Sequence, residues 1–240
     1  MEEFRPRLNK AQYELIKTYR GKSNERRVLV IGDLHAPFTL DGYLDHCVNV
    51  RDKYGCNEII FIGDVIDSHY SSYHEQDPDG MGGGDELDLS IKELSKWYKE
   101  FPKAKVILGN HDLIVARKAF SSGLSKRWIR DLNEVLEVPN WDFVESYTLD
   151  DVLYIHGVGS KASGRIKKEL HSVVQGHYHT EGNINYLVGR GYKIFGMQTG
   201  CGIDHEKYAF AYGKHFGKPF ISCSVILNNG KLPILEPMEL

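Results

Sequence analysis

The chain has no apolar run long enough to cross a bilayer, which excludes a membrane span. Its first apolar run, Val28 to Ile31, is too short for the core of a secretory signal, and charges are scattered through Met1 to Arg27. A cytoplasmic protein is therefore expected. Cysteine is scarce: Cys47, Cys56, Cys201 and Cys223 form no C-x-x-C pair and are too few to staple a chain of 240 residues. They read as reduced, mostly buried thiols. A strong charge of either sign is also missing. The formal net charge of −3 gives no global reason to attract nucleic acid, although a local basic face remains compatible with it. The 41% hydrophobic and 26% charged residues are those of an ordinary folded protein, and the length suits one domain over residues 1–240.

In the first half, short β-branched runs alternate with longer helical stretches, the pattern of βαβ units. Strands are expected at Val28 to Ile31, Glu58 to Ile62 and Lys105 to Leu108. Helices are expected at Asp41 to Tyr54, Asp85 to Glu100, His111 to Phe120 and Ser125 to Leu136. A further helix, Asn9 to Arg20, lies in an N-terminal extension covering residues 1–27. From Trp141 the segments become short and alternating, with Gly or Asn turns between them. Strands are expected at Trp141 to Tyr147, Val152 to His156, Ser172 to Gln175, Ile184 to Val188, Lys193 to Gln198 and Phe220 to Leu227. Asn228-Asn229-Gly230 signals a hairpin turn.

The chemistry follows the strands. Gly32-Asp33-Leu34-His35 comes directly after the first, and in an α/β sheet ligands collect at the carboxyl ends of strands. Taken alone, Asp33 and His35 could equally be an Asx turn with a surface histidine. The second apolar run ends in Gly63-Asp64-Val65-Ile66-Asp67 and the third in Gly109-Asn110-His111-Asp112, where Asn and Asp could also cap a helix. His156-Gly157 and Gly176-His177-Tyr178-His179 follow strands in the second half. His177 and His179 have the alternation that puts two side chains on one face of extended chain. His46, His171, His205 and His215 lack such a setting and read as surface or core histidines.

These five ordered elements, spanning residues 32–179, resemble the calcineurin-like metallophosphoesterases. The resemblance implies a fold of two β-sheets packed face to face with helices outside, a four-layer α/β sandwich. It implies two divalent metal ions, one held by Asp33, His35, Asp64 and His179, the other by Asp64, Asn110, His156 and His177. Asp64 would bridge them, Asp67 would stand behind the ligands, and His111 would be catalytic with Asp112 orienting it. Mixed N and O donors suit manganese, with iron, zinc and nickel as alternatives. The Ser/Thr protein phosphatases continue their second motif with Arg-Gly and end the third in Glu, whereas here Ser68-His69 and Asp112 stand there. The likeness is to small stand-alone phosphoesterases of bacteria and bacteriophages. A phosphoester substrate is implied, with a phosphodiester of a nucleotide or nucleic acid expected and a phosphomonoester as the alternative. A scaffold is disfavoured because no ligand is missing. The sequence does not set the oligomeric state.

One stretch is left over. Residues 68–84 are long for a βα connection and hold His69, Tyr70 and Tyr73 near the second motif. The expectation is a wall of the substrate cleft, with a solvated surface loop as the alternative.

Overall fold

A computed structural model describes residues 25–72, 81–211 and 217–239. The expected helix Asn9 to Arg20, together with Tyr73, His74 and His215, lies outside the described residues. The chain enters through β1 (Val28–Ile31), α1 (Tyr43–Tyr54), β2 (Glu58–Phe61), α2 (Gly83–Glu100) and β3 (Ala104–Ile107). The helices α3 (Ile114–Ser121) and α4 (Leu132–Val135) lead to β4 (Trp141–Val144), β5 (Ser146–Leu149) and β6 (Val152–Ile155). Then come α5 (Ala162–Glu169), β7 (Ser172–Gln175), β8 (Asn183–Gly189) and β9 (Tyr192–Gln198). Helix α6 (His205–Ala211) precedes the hairpin of β10 (Ser222–Leu227) and β11 (Leu232–Pro237).

Six strands form one sheet in the order β11-β10-β1-β2-β3-β4, and five form a second in the order β5-β6-β7-β9-β8. The strands β1 to β4 are parallel, as are β6, β7 and β9, while β10, β11, β5 and β8 pair antiparallel. Strand β1 shows why the two sheets stack. Its four residues are all buried, the mark of a strand covered on both faces. Val28 and Val30 join Ile60, Ile62 and Ile107 against Val152, Tyr154, Val174, Phe195 and Met197 of the second sheet. Leu29 and Ile31 point the other way, into a cluster with Tyr43, Cys47, Leu94 and Trp97 of α1 and α2. On the far side of the second sheet, α5 lies against β9 so closely that a Cβ at Gly196 would sit 2.6 Å from the carbonyl oxygen of Ala162. The layers are therefore helix, sheet, sheet, helix, as expected. Among the described residues no helix is long and apolar enough to cross a membrane.

Three sequence expectations need correction. Ser125 to Leu136 is not one helix: a 3-10 turn, Lys126–Trp128, and the short α4 are separated by extended Ile129. Trp128 is exposed and so shares no buried face with Leu136. Trp141 to Tyr147 is two strands, since the chain leaves one sheet after Val144 and enters the other at Ser146. Helix α5 was not expected in the strand-rich half; its sequence is polar and contains Gly164, and only Ala162 and Ile166 are buried. Of the cysteines, Cys47, Cys201 and Cys223 are buried, Cys56 is half-buried, and all are free thiols.

Candidate metal centre

All five sequence elements leave the carboxyl ends of parallel strands: β1, β2 and β3 in one sheet, β6 and β7 in the other. Because the sheets stack face to face, the five turns meet at one end of the sandwich. Backbone bonds bind the first two turns together: Leu34 and His35 donate their N–H groups to the Asp64 carbonyl, at 3.1 and 2.9 Å. Space there is tight. A Cβ on Gly109 would fall 2.0 Å from Asp64 Oδ1, and one on Gly176 would fall 2.1 Å from Asp33 Oδ1. Glycine is required at both positions for room to hold the carboxylates. His35, Asp64 and His177 adopt left-handed backbone, at φ 48, 46 and 70°, a conformation costing about 1–3 kcal/mol for residues other than glycine. Three of the donors thus sit in strained backbone that the surrounding turns hold in place.

The donor atoms of Asp33, His35, Asp64 and His179 lie within 4.8 Å of one another, as do those of Asp64, His156 and His177. Asp64 belongs to both sets. Asn110 joins the second, its Oδ1 being 3.1 Å from His156 Nε2. His35 Nδ1 lies 2.6 Å from Asp67 Oδ1 and His156 Nδ1 lies 3.1 Å from the Ile62 carbonyl, so both rings donate outward and turn Nε2 inward, where it binds a cation once it carries no proton. His35 Nε2 and His179 Nε2 are 3.2 Å apart, and His179 Nε2 is 3.1 Å from Asp33 Oδ2. Asp33 Oδ1 is buried without a hydrogen bond, and Asp64 Oδ2 lies 3.0 Å from His156 Nε2. Inward-facing imidazole nitrogens and buried carboxylate oxygens fit divalent cations in both sets.

The proton equilibria agree. Burial lowers the pKa of His35, and the charges of His111 and His179 add to it against the bond to Asp67. Burial also opposes charge on His156, yet Asp64 and Asp33 push it up to about 10. Asp64 is held well below the ordinary carboxylate range against its own burial by His156, His35 and His111. Protons on imidazole thus supply the positive charge that a cation would replace.

His111 has a different setting. Its backbone N–H donates to Asp64 Oδ1 at 2.8 Å, and its ring Nδ1 lies 2.7 Å from the Asp67 carbonyl oxygen and 3.2 Å from Asp67 Oδ1. Burial opposes the imidazolium, but the bond to Asp67 and the charges of Asp64 and Asp67 outweigh it and raise the ring to about 9. Asp112 does not orient this ring. Its Oδ1 accepts from Val65 N at 3.0 Å and its Oδ2 from Gly109 N at 2.8 Å, so it ties the second and third turns together. Burial and the nearby Asp64 push its carboxyl up to about 7. The carboxylate next along the second motif, Asp67, contacts both His35 and His111.

The residues expected in a substrate wall are placed unequally. Residues 69–71 form a 3-10 turn whose His69 and Tyr70 N–H groups both donate to the carboxylate of Glu86 in α2, at 2.5 and 2.8 Å. His69 is buried edge-on against Phe38, while Tyr70 is 52% exposed. Of the two, Tyr70 is the one that reaches solvent. Two residues were missed in the sequence. Glu86 looked like one more acid in a helical first turn. Tyr208 of α6 meets His35 edge-on at 5.2 Å and His179 at 6.4 Å; the signal available for it was Asp204, whose carboxylate accepts from Glu206 N and Lys207 N and caps that helix.

The sequence model described as calcineurin-like phosphoesterase matches residues 26–215. No curated protein matches the chain in sequence. Solved structures similar to it include an archaeal phosphodiesterase, at 15% identity over 88% of this chain and 99% of that one with a TM-score of 0.47. Vacuolar protein sorting 29 from Cryptosporidium parvum is similar at 16% identity, 88% and 89% coverage and a TM-score of 0.45. A metallophosphoesterase from Sphaerobacter thermophilus is similar at 14% identity, 90% and 89% coverage and a TM-score of 0.44.

Proposed function

The chain belongs to the calcineurin-like phosphoesterase family and is a hydrolase of phosphoesters; from that premise we propose that it cleaves phosphodiesters of nucleotides or nucleic acid at two divalent cations, with manganese the working metal. The shared position of Asp64 in two donor sets supports the dinuclear reading. We assign Asp33, His35, Asp64 and His179 to one cation and Asp64, Asn110, His156 and His177 to the other. When bound, two such cations supply a water of lowered pKa and neutralise charge developing on the phosphoryl oxygens.

The protein's own groups do the rest. Nδ1–H of His111 donates to the Asp67 carbonyl, which leaves Nε2 to carry the proton handed to the departing oxygen. Its raised pKa keeps that proton in place at neutral pH. Asp67, buried and fixed between His35 and His111, holds both rings in register. The diester reading is supported by where the centre opens. Asp33, Asp64 and His35 are buried, whereas Asn110, His111, His177 and His179 reach solvent, so phosphorus is met at a surface along which both ester arms can run. Of the described wall candidates, Tyr70 is the one that reaches solvent.

A panel of mono- and diesters, cyclic nucleotides, and single- and double-stranded DNA and RNA, assayed with manganese, tests the proposal. Higher kcat/KM for diesters is expected. A clear preference for monoesters would overturn the substrate assignment.

A further inference from the structure

The stretch directly after His111 and Asp112 carries features that the hydrolytic chemistry does not use. From Leu113 to Arg130 the chain has five cations, Arg117, Lys118, Lys126, Arg127 and Arg130, and no carboxylate, in a protein of net charge −3. The same stretch exposes two large rings, Phe120 at 83% and Trp128 at 84%. Among the described residues Lys126, Arg127 and Arg130 enter no ion pair.

This surface is ordered. Helix α3 closes with Leu124 N donating to the Ala119 carbonyl at 2.9 Å, and the 3-10 turn that presents Trp128 is capped by Ser125 Oγ accepting from Arg127 N. It also adjoins the metal centre. Eight helical residues span about 12 Å, and α3 begins three residues after His111. Lys118 Nζ donates to the Ser72 carbonyl at 3.1 Å, tying α3 to the turn that follows the second motif. Lys126 and Arg130 stand on the wall of a cavity of about 530 Å³ whose lining also includes Ser68 and Asp112.

Exposed rings beside unpaired cations are matched chemically by unpaired bases on a phosphate backbone. Stacking needs a free base face, which a duplex hides, and cations spaced along a surface track consecutive phosphates. We propose that this face binds single-stranded nucleic acid, Phe120 and Trp128 stacking on bases while Lys126, Arg127 and Arg130 follow the backbone, and so leads a polynucleotide diester to His111. This rests on the diesterase reading above and names its substrate class.

The test uses the full chain with manganese, a fluorescein-labelled oligothymidylate of about 16 nucleotides, and bis-p-nitrophenyl phosphate as a small diester. Trp128→Ala should weaken oligonucleotide binding by roughly 5–150-fold, while Trp128→Phe, which keeps a stacking face, should largely retain it. Replacing Lys126, Arg127 and Arg130 together by Ala should reduce the slope of log K against log salt by about 2. Hydrolysis of the small diester should be unchanged in every variant. Variants that bind the oligonucleotide as wild type does would overturn the platform. So would tighter binding to duplex DNA, or binding to equimolar phosphatidylserine/phosphatidylcholine vesicles without oligonucleotide binding. A wild type that binds the strand by these residues but leaves the small diester intact would sink the diesterase reading and leave the platform standing.

Discussion

At the scale of single residues, Asp64 concentrates the most consequences. It contributes to both donor sets, accepts the His111 backbone N–H and lies in strained left-handed backbone. Asp64→Asn should therefore cut metal content at both positions, measured by elemental analysis after equilibrium dialysis. Wild-type stoichiometry in that variant would remove its bridging role. His111 separates from the ligands, whereas Asp67 touches both it and His35. His111→Ala should lower kcat by about 10²–10⁴ with both metals retained. Asp67→Asn should act through His111. Without that negative charge the imidazolium loses its main support against burial, so its pKa falls from the raised value near 9. Activity that needs the protonated ring is present below this pKa and lost above it. The alkaline limb of the kcat profile should accordingly move to lower pH in Asp67→Asn. Asp112→Asn leaves His111 untouched, so its profile should keep the wild-type limb while thermal stability drops, by about 1–3 kcal/mol for one lost buried acceptor. The pairing of His111 with Asp67 was not legible in the sequence, because Asp112 is adjacent in the chain and Asp67 is adjacent only in the fold.

Among the secondary-structure elements, the strands carrying the donors were the legible part. Val28 to Ile31, Ile59 to Ile62 and Lys105 to Leu108 are apolar runs ending in glycine and a polar donor, and each lies where that pattern puts it. The passage between sheets at Glu145 was illegible because both strands it joins have the same short, mixed pattern, and pairing is decided by residues far away. The glycines give a test at this scale. Gly109→Ala forces a methyl group into Asp64 Oδ1, so about 1–3 kcal/mol of overpacking destabilisation is expected, together with weakened metal binding. Gly84→Ala, in the first turn of α2 with nothing within 4 Å of the new Cβ, should be neutral or slightly stabilising. Equal melting temperatures for the two variants would contradict the close approach at Gly109.

For the whole molecule, cation binding and folding are linked. A ligand that binds only the folded chain stabilises it by about 2.7 kcal/mol at a concentration 100 times its Kd, so Tm should rise with added manganese and fall on chelation. The metal-free protein should also show a particular pH dependence. His156 is raised from 6.5 to about 10, so its stabilising contribution is complete below pH 6.5 and lost as pH rises through 10. Asp64 and Asp67 are lowered from 3.8, so theirs is complete above pH 3.8 and lost as pH falls. Tm of the chelated protein should peak between these limits. Manganese should extend the plateau to higher pH, because the cation takes over the charge carried by the His156 proton. A peak that metal does not move would argue against His156 as a ligand.

The placement of β1 between β2 and β10 has a consequence for how the molecule is made. On one side β1 meets residues 58–61, which leave the ribosome soon after it; on the other it waits for residues 224–226. Asp33 itself bridges to Cys201, which in turn bridges to Ile221. A nascent chain that has already emerged through His179 thus holds every proposed ligand while the strand bearing Asp33 still has an open edge. Such an edge is a hazard for pairing with another chain. Tight cation capture should therefore be a late event in biosynthesis, coming only once the final hairpin has closed over that edge.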